Sequence, residues 1–80
     1  MITREAVATR INELCKEKNI TINGIANQSG LPPSTVKNII YGVSKNPGIV
    51  TIKILCDGFG ITLPEFFDSE IFYDLEQEIK

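Results

Sequence analysis

The sequence predicts an all-α fold of five helices with an additional C-terminal amphipathic helix, and three observations carry that expectation. Apolar residues recur at the three-to-four-residue spacing of a helix face through most of the chain. Threonine, proline and glycine fall where such stretches begin and end. The 80 residues, 42% of them hydrophobic, suffice for one core and leave no room for a second one. The expected organisation is one domain over residues 1–68 and an acidic helix over 69–80.

Thr3 is placed to cap a first helix of about Arg4 to Lys18, where Val7, Ile11, Leu14 and Cys15 form one face. Lys16 and Lys18 complement the negative end of its dipole, and Asn19 tolerates the left-handed turn that ends it. Thr21 opens a second helix to about Ser29, with Ile22, Ile25 and Ala26 inward, and Gly30 stops it. Gly30-Leu31-Pro32 is long enough only for a tight turn before Pro33, which suits the first position of a third helix, about Pro33 to Tyr41. At 100° per residue Val36, Ile39 and Ile40 take one side of that helix. Ser34, Lys37, Asn38 and Tyr41 take the other, with Thr35 at its flank. Gly42 closes the helix and VSKNPG is a loop. A fourth helix of about Ile49 to Phe59 presents Ile49, Ile52, Leu55, Cys56 and Phe59 to the core. Thr62 caps a short fifth, with Pro64 in its first turn and Phe66 and Phe67 turned to the core or a partner. From Ser69, the spacing of Ile71, Phe72, Leu75 and Ile79 predicts the last amphipathic helix.

Composition narrows the function. Without histidine the chain lacks the commonest general base, metal ligand and triad member, which argues against an enzyme. Cys15 and Cys56 belong to no CxxC pair, so neither a zinc site nor a redox motif is written, and reduced core thiols in a cytoplasmic protein are expected. No metal and no cofactor are expected. The first ten residues, MITREAVATR, place charges where a signal peptide is apolar, and no apolar run approaches the roughly 20 residues of a membrane span.

The net charge of −2 hides a polarity. Up to Cys56 there are seven basic residues, Arg4, Arg10, Lys16, Lys18, Lys37, Lys45 and Lys53, against Glu5, Glu13 and Glu17. From Asp57 onward seven acidic residues face only Lys80. Either the acidic end is a solvated helix, or the molecule turns a basic side to a polyanion and holds the acidic end away or uses it against a protein.

Two short helices joined by a glycine-containing turn, the second exposing small polar side chains, form the helix-turn-helix arrangement. A major groove admits one helix, and its edges carry donor and acceptor patterns that Asn, Ser, Thr and Lys can read. Thr21 offers free backbone N–H groups and a positive dipole end, which favour a phosphate. Double-stranded DNA is the partner this pattern fits.

The residues resemble the helix-turn-helix domain of phage repressors and Cro, the xenobiotic-response-element type. Ala26, Gly30, Leu31, Val36 and Gly42 stand at the family's spacing, and NPGIVTIKILCDGFGITLPEFF is similar to its fourth and fifth helices. The resemblance covers about Arg10 to Phe67 and implies a lambda-repressor-like fold and a transcriptional regulator, a repressor working as a homodimer on a pseudo-palindromic site. It implies base reading by Pro33, Ser34 and Asn38, of which Asn38 is the foremost. Phosphate or groove-edge contacts would come from Thr21, Asn23, Thr35, Lys37, Tyr41, Ser44, Lys45 and Asn46. Pro33 departs from the pattern, since its ring has no donor and can only touch a thymine methyl. Ile22 and Gly24 stand where relatives are often polar, so Thr21, Asn23 and backbone groups carry more of the contact from the second helix. A rival expectation keeps the scaffold but binds a protein, such as a toxin, through the acidic helix and the face of Phe72, Leu75 and Ile79. That face could equally close the core or be shared across a two-fold axis.

Overall fold

A computed structural model describes residues 1–79 and contains five α-helices: α1 (Thr3–Glu17), α2 (Ile22–Ser29), α3 (Pro33–Ile40), α4 (Ile49–Phe59) and α5 (Leu63–Phe67). One 3₁₀ turn follows at Glu70–Phe72, and there is no strand among the described residues. These are the five helices that the spacing of apolar residues predicts, in the lambda-repressor-like fold that the family resemblance implies.

Local chemistry sets most boundaries. The Thr21 hydroxyl accepts from the Gly24 N–H at 2.9 Å, and Thr62 forms a reciprocal box with Glu65. Gly30 and Gly60 end α2 and α4 in the left-handed region, at φ 70° and 76°. Asn19 takes the same conformation after α1, at φ 54°. Tyr41 falls just outside α3 as its cap. The first helix starts one residue earlier than expected, capped by the backbone of Ile2, whose N–H donates to Glu5. Thr3 is therefore not the cap.

α2 lies against α3 and α4, and α1 against α3. Phe66, Ile11, Ile25, Leu55, Val36 and Cys56 are the largest fully buried side chains. Each such burial removes about 1.5–3 kcal/mol worth of apolar surface from water. Cys15 and Cys56 are free and buried, and burial raises both thiol pKa values. Ile49 is not core but 57% exposed, because a first-turn side chain points back toward its helix N-terminus, here out over the loop. Phe67 is also at the surface, its ring edge-on to Phe66 and to Phe72, both at 5.0 Å between centroids.

Arg10, one of the basic residues of the front end, is buried. Its Nε donates to the Phe66 carbonyl at 2.6 Å and its Nη2 to that of Glu65 at 2.9 Å. It thereby supplies the Phe66 carbonyl and joins the Asp68 N–H at that of Glu65, two of the last-turn carbonyls that no helix satisfies internally, and faces no external polyanion.

The last expected element does not form. No α-helix occupies residues 69–79; after the 3₁₀ turn the chain folds back on the N-terminus. The Glu76 N–H donates to the Met1 carbonyl at 3.2 Å and the Thr3 hydroxyl to a Glu78 carboxylate oxygen at 2.8 Å. The reason is charge. Glu70, Asp74 and Glu78 stand four apart, so a helix would stack like charges, and about twelve residues are too few to be helical without packing. Phe72 turns inward, Leu75 is half-buried and Ile79 is 88% exposed, so the three share no helical stripe.

Candidate nucleic-acid interface

The base of the interface is the close crossing of α2 and α4. A Cβ on Gly58 would lie 2.0 Å from the Ser29 Oγ and 3.3 Å from Ile25 Cδ1, so only glycine admits this approach. The Gln28 side-chain amide donates to the Gly58 carbonyl at 2.7 Å. The Ser29 hydroxyl is enclosed there without a hydrogen-bond partner. With Ile25 and Ala26 fully buried, α2 is held as a rigid brace.

The turn then aims α3. The Leu31 N–H donates to the Ala26 carbonyl and that of Gly30 to Asn27, closing the end of α2. The Thr35 N–H donates to the Pro32 carbonyl at 3.0 Å, starting α3. Val36 and Ile39 are buried beneath it, which leaves Ser34, Lys37, Asn38 and Tyr41 exposed together on its outer face. Pro33 and Thr35 are half-buried at the edges of that face.

The following loop is tied to the same helix. The Ser44 N–H donates to the Asn38 carbonyl at 2.9 Å, so the backbone of Asn38 anchors the loop while its side chain points out. A shallow depression of about 160 Å³ brings Thr35, Asn38 and Ser44 together with Gly48 and Thr51 at the start of α4. Those last two were absent from the expected contact residues, and the signal for them was available: NPG marks a helix start whose N–H groups no side chain caps. Thr21 and Asn23 are exposed at the N-terminus of α2.

Lys45 and Asn46 sit apart from that depression, lining a larger groove of about 600 Å³ with Arg4. Arg4 is not among the expected contact residues. Its Nη1 lies 2.8 Å from where a Cβ on Gly42 would stand, packed on the left-handed turn that ends α3 at φ 76°. Phe72, Leu75 and Ile79 lie elsewhere and are not gathered on this surface. Among the described residues no group of three His, Cys, Asp or Glu side chains is placed to hold a metal, and no helix is long and apolar enough to cross a membrane.

Comparison with known proteins agrees with this geometry. The family model described as helix-turn-helix matches residues 11–66. The solved crystal structure of the prophage Lp1 protein 11 superposes with a TM-score of 0.80 at 38% identity, covering 94% of this chain and 100% of that one. No curated protein matches.

Proposed function

The chain belongs to the helix-turn-helix family, as a DNA-binding regulator of the phage repressor and Cro kind, and on that premise we propose that it represses transcription by inserting α3 into the major groove. The observation that carries this reading is the outer face of α3: four exposed polar side chains over a fully braced inner face. Ser34 and Asn38 read base edges, and Pro33 adds only apolar contact. Thr21 and Asn23 at the start of α2, with Thr35, Lys37, Tyr41, Ser44, Lys45 and Asn46 around α3, approach phosphates or groove edges. The N-termini of α2 and α4 add their dipoles.

Two copies act on a pseudo-palindromic site, each in one of two successive major grooves about 34 Å apart. The molecule measures 37 × 24 × 20 Å, which lets two protomers sit side by side on one face of a duplex. The rival reading, a protein-binding module using a C-terminal stripe, loses its stripe because Phe72 packs on Phe66 and Phe67.

Selection of duplexes from a random pool, then titration of the winner and a scrambled control at two salt concentrations, tests the proposal. A two-fold motif should emerge, with a log–log salt slope of about −4 to −5 for the dimer. Asn38→Ala should cost about 1–3 kcal/mol at one base position and leave thermal unfolding unchanged. Equal loss on every sequence, or an unfolded variant, would remove Asn38 as a base reader. No enrichment of any duplex would sink the proposal itself.

A further inference from the structure

We infer that the acidic stretch Glu76–Glu78 is an intramolecular competitor for DNA, seated in a groove that also presents Arg4 and Lys45 as a phosphate-binding edge. The inference rests on the proposed function, because it takes Lys45 and Asn46 as phosphate-facing. Arg4 of α1, Lys45 and Asn46 of the loop, and Glu76, Gln77 and Glu78 of the tail line the same groove. The ion pairs among the described residues join Met1 to Glu76, Arg10 to Glu13 and Glu17, and Lys53 to Asp57. Among the described residues Arg4 and Lys45 therefore have no acidic partner within ion-pair distance, although carboxylates share their groove.

A guanidinium and an ammonium that line a groove with no carboxylate of the described residues in ion-pair contact have donors that suit a phosphodiester. The tail supplies negative charge to that space without neutralising either cation by contact. Its attachments are few and peripheral. The Glu76 carboxylate stands 3.8 Å from the chain amino group, both more than a third exposed, and Glu78 accepts from an exposed hydroxyl. Contacts of this exposed kind are weak and readily exchanged. DNA carries about one charge per 1.7 Å of helix axis and offers the two cations a denser anion than the tail does. The tail thus lowers affinity for all sequences alike, non-specific ones included, and leaves discrimination to α3.

The test compares the full chain with four variants on a duplex bearing the selected site and on an unrelated duplex of equal length. Glu76→Gln with Glu78→Gln should tighten both complexes by about three- to tenfold at low salt, and the gain should shrink as salt screens it. Asp68→Asn with Glu70→Gln neutralises as many charges on exposed side chains outside the groove and should give a clearly smaller gain. Adding Arg4→Gln and Lys45→Gln to the first pair should abolish its gain relative to the same two changes alone. The inference fails if the tail variant binds as the parent does, if the outside pair gains equally, or if the gain survives loss of both Arg4 and Lys45. Parent protein that binds no duplex at all would overturn the proposed function, and this inference with it. Parent binding without a tail effect would overturn the inference alone.

Discussion

The third helix and the C-terminal tail carry the same apolar spacing and end in opposite states. Val36, Ile39 and Ile40 in α3, and Ile71, Phe72, Leu75 and Ile79 in the tail, both read as one helical face. In α3 that face is met by a proline at the first position, a left-handed glycine after the last, a buried partner surface and no like charges at i,i+4. In the tail three carboxylates stack at that interval, nothing caps the start, and only Phe72 finds a core to enter. Apolar periodicity becomes a helix only where caps, charge and a docking surface agree with it.

The contrast breaks most completely at Arg10, which ties the end of α5, the platform the tail leaves from, to α1. Arg10→Met strands the Phe66 carbonyl and leaves that of Glu65 only the Asp68 N–H, and should cost about 2–3 kcal/mol in chemical denaturation. A loss within experimental error would mean that water replaces the guanidinium and that α5 stands without it. Gly58→Val should come next, at about 2 kcal/mol, because its side chain must push Ser29 and Ile25 off the α2–α4 crossing. DNA affinity should fall with it, as the brace beneath α3 shifts. A variant of parental stability would show that crossing to be looser than its geometry.

Thr62→Ala removes the cap of α5 and should cost about 1 kcal/mol. The Thr62 N–H first, and then its hydroxyl, hold the Glu65 carboxyl below its ordinary pKa. A folded-state pKa below the unfolded one contributes stability that is full above the unfolded value and is lost as pH falls through the folded one. Alanine keeps the Thr62 N–H and removes only the hydroxyl, so the difference between parent and variant should narrow slightly on acidification below about pH 4, the ordinary glutamate range, by the hydroxyl's share. A difference that widens in acid would detach the hydroxyl from the Glu65 carboxylate. The smallest effect sharpens the tail side of the contrast. Asp74→Lys turns two like-charge intervals into attractions, each worth about 0.2–0.5 kcal/mol. Backbone chemical shifts over residues 70–79 should move toward helix; unchanged shifts would mean that the fold-back onto Met1 and Thr3, rather than repulsion, sets the tail.

Much of the domain was legible because its signals are local. Thr21, Gly30 and Thr62 act on the backbone within four residues of themselves, so their caps and turns appear in a window of sequence. The outer face of α3 was legible for the same reason: nine residues at 100° each separate polar from apolar. Arg10, Gly58 and Arg4 were not. A buried guanidinium serving carbonyls 55 and 56 residues away, or a glycine required by a side chain on another helix, leaves no trace in its own neighbourhood.

Composition and spacing by themselves determined the all-helical class, five of the helices and the polar face, since these follow from caps and period alone. Packing decided which isoleucine is core and which stands over the loop, which arginine is structural and which is open, and where the acidic end lies. Those outcomes depend on desolvation and charge between segments distant in sequence, and such energies exist only once the chain has brought the segments together.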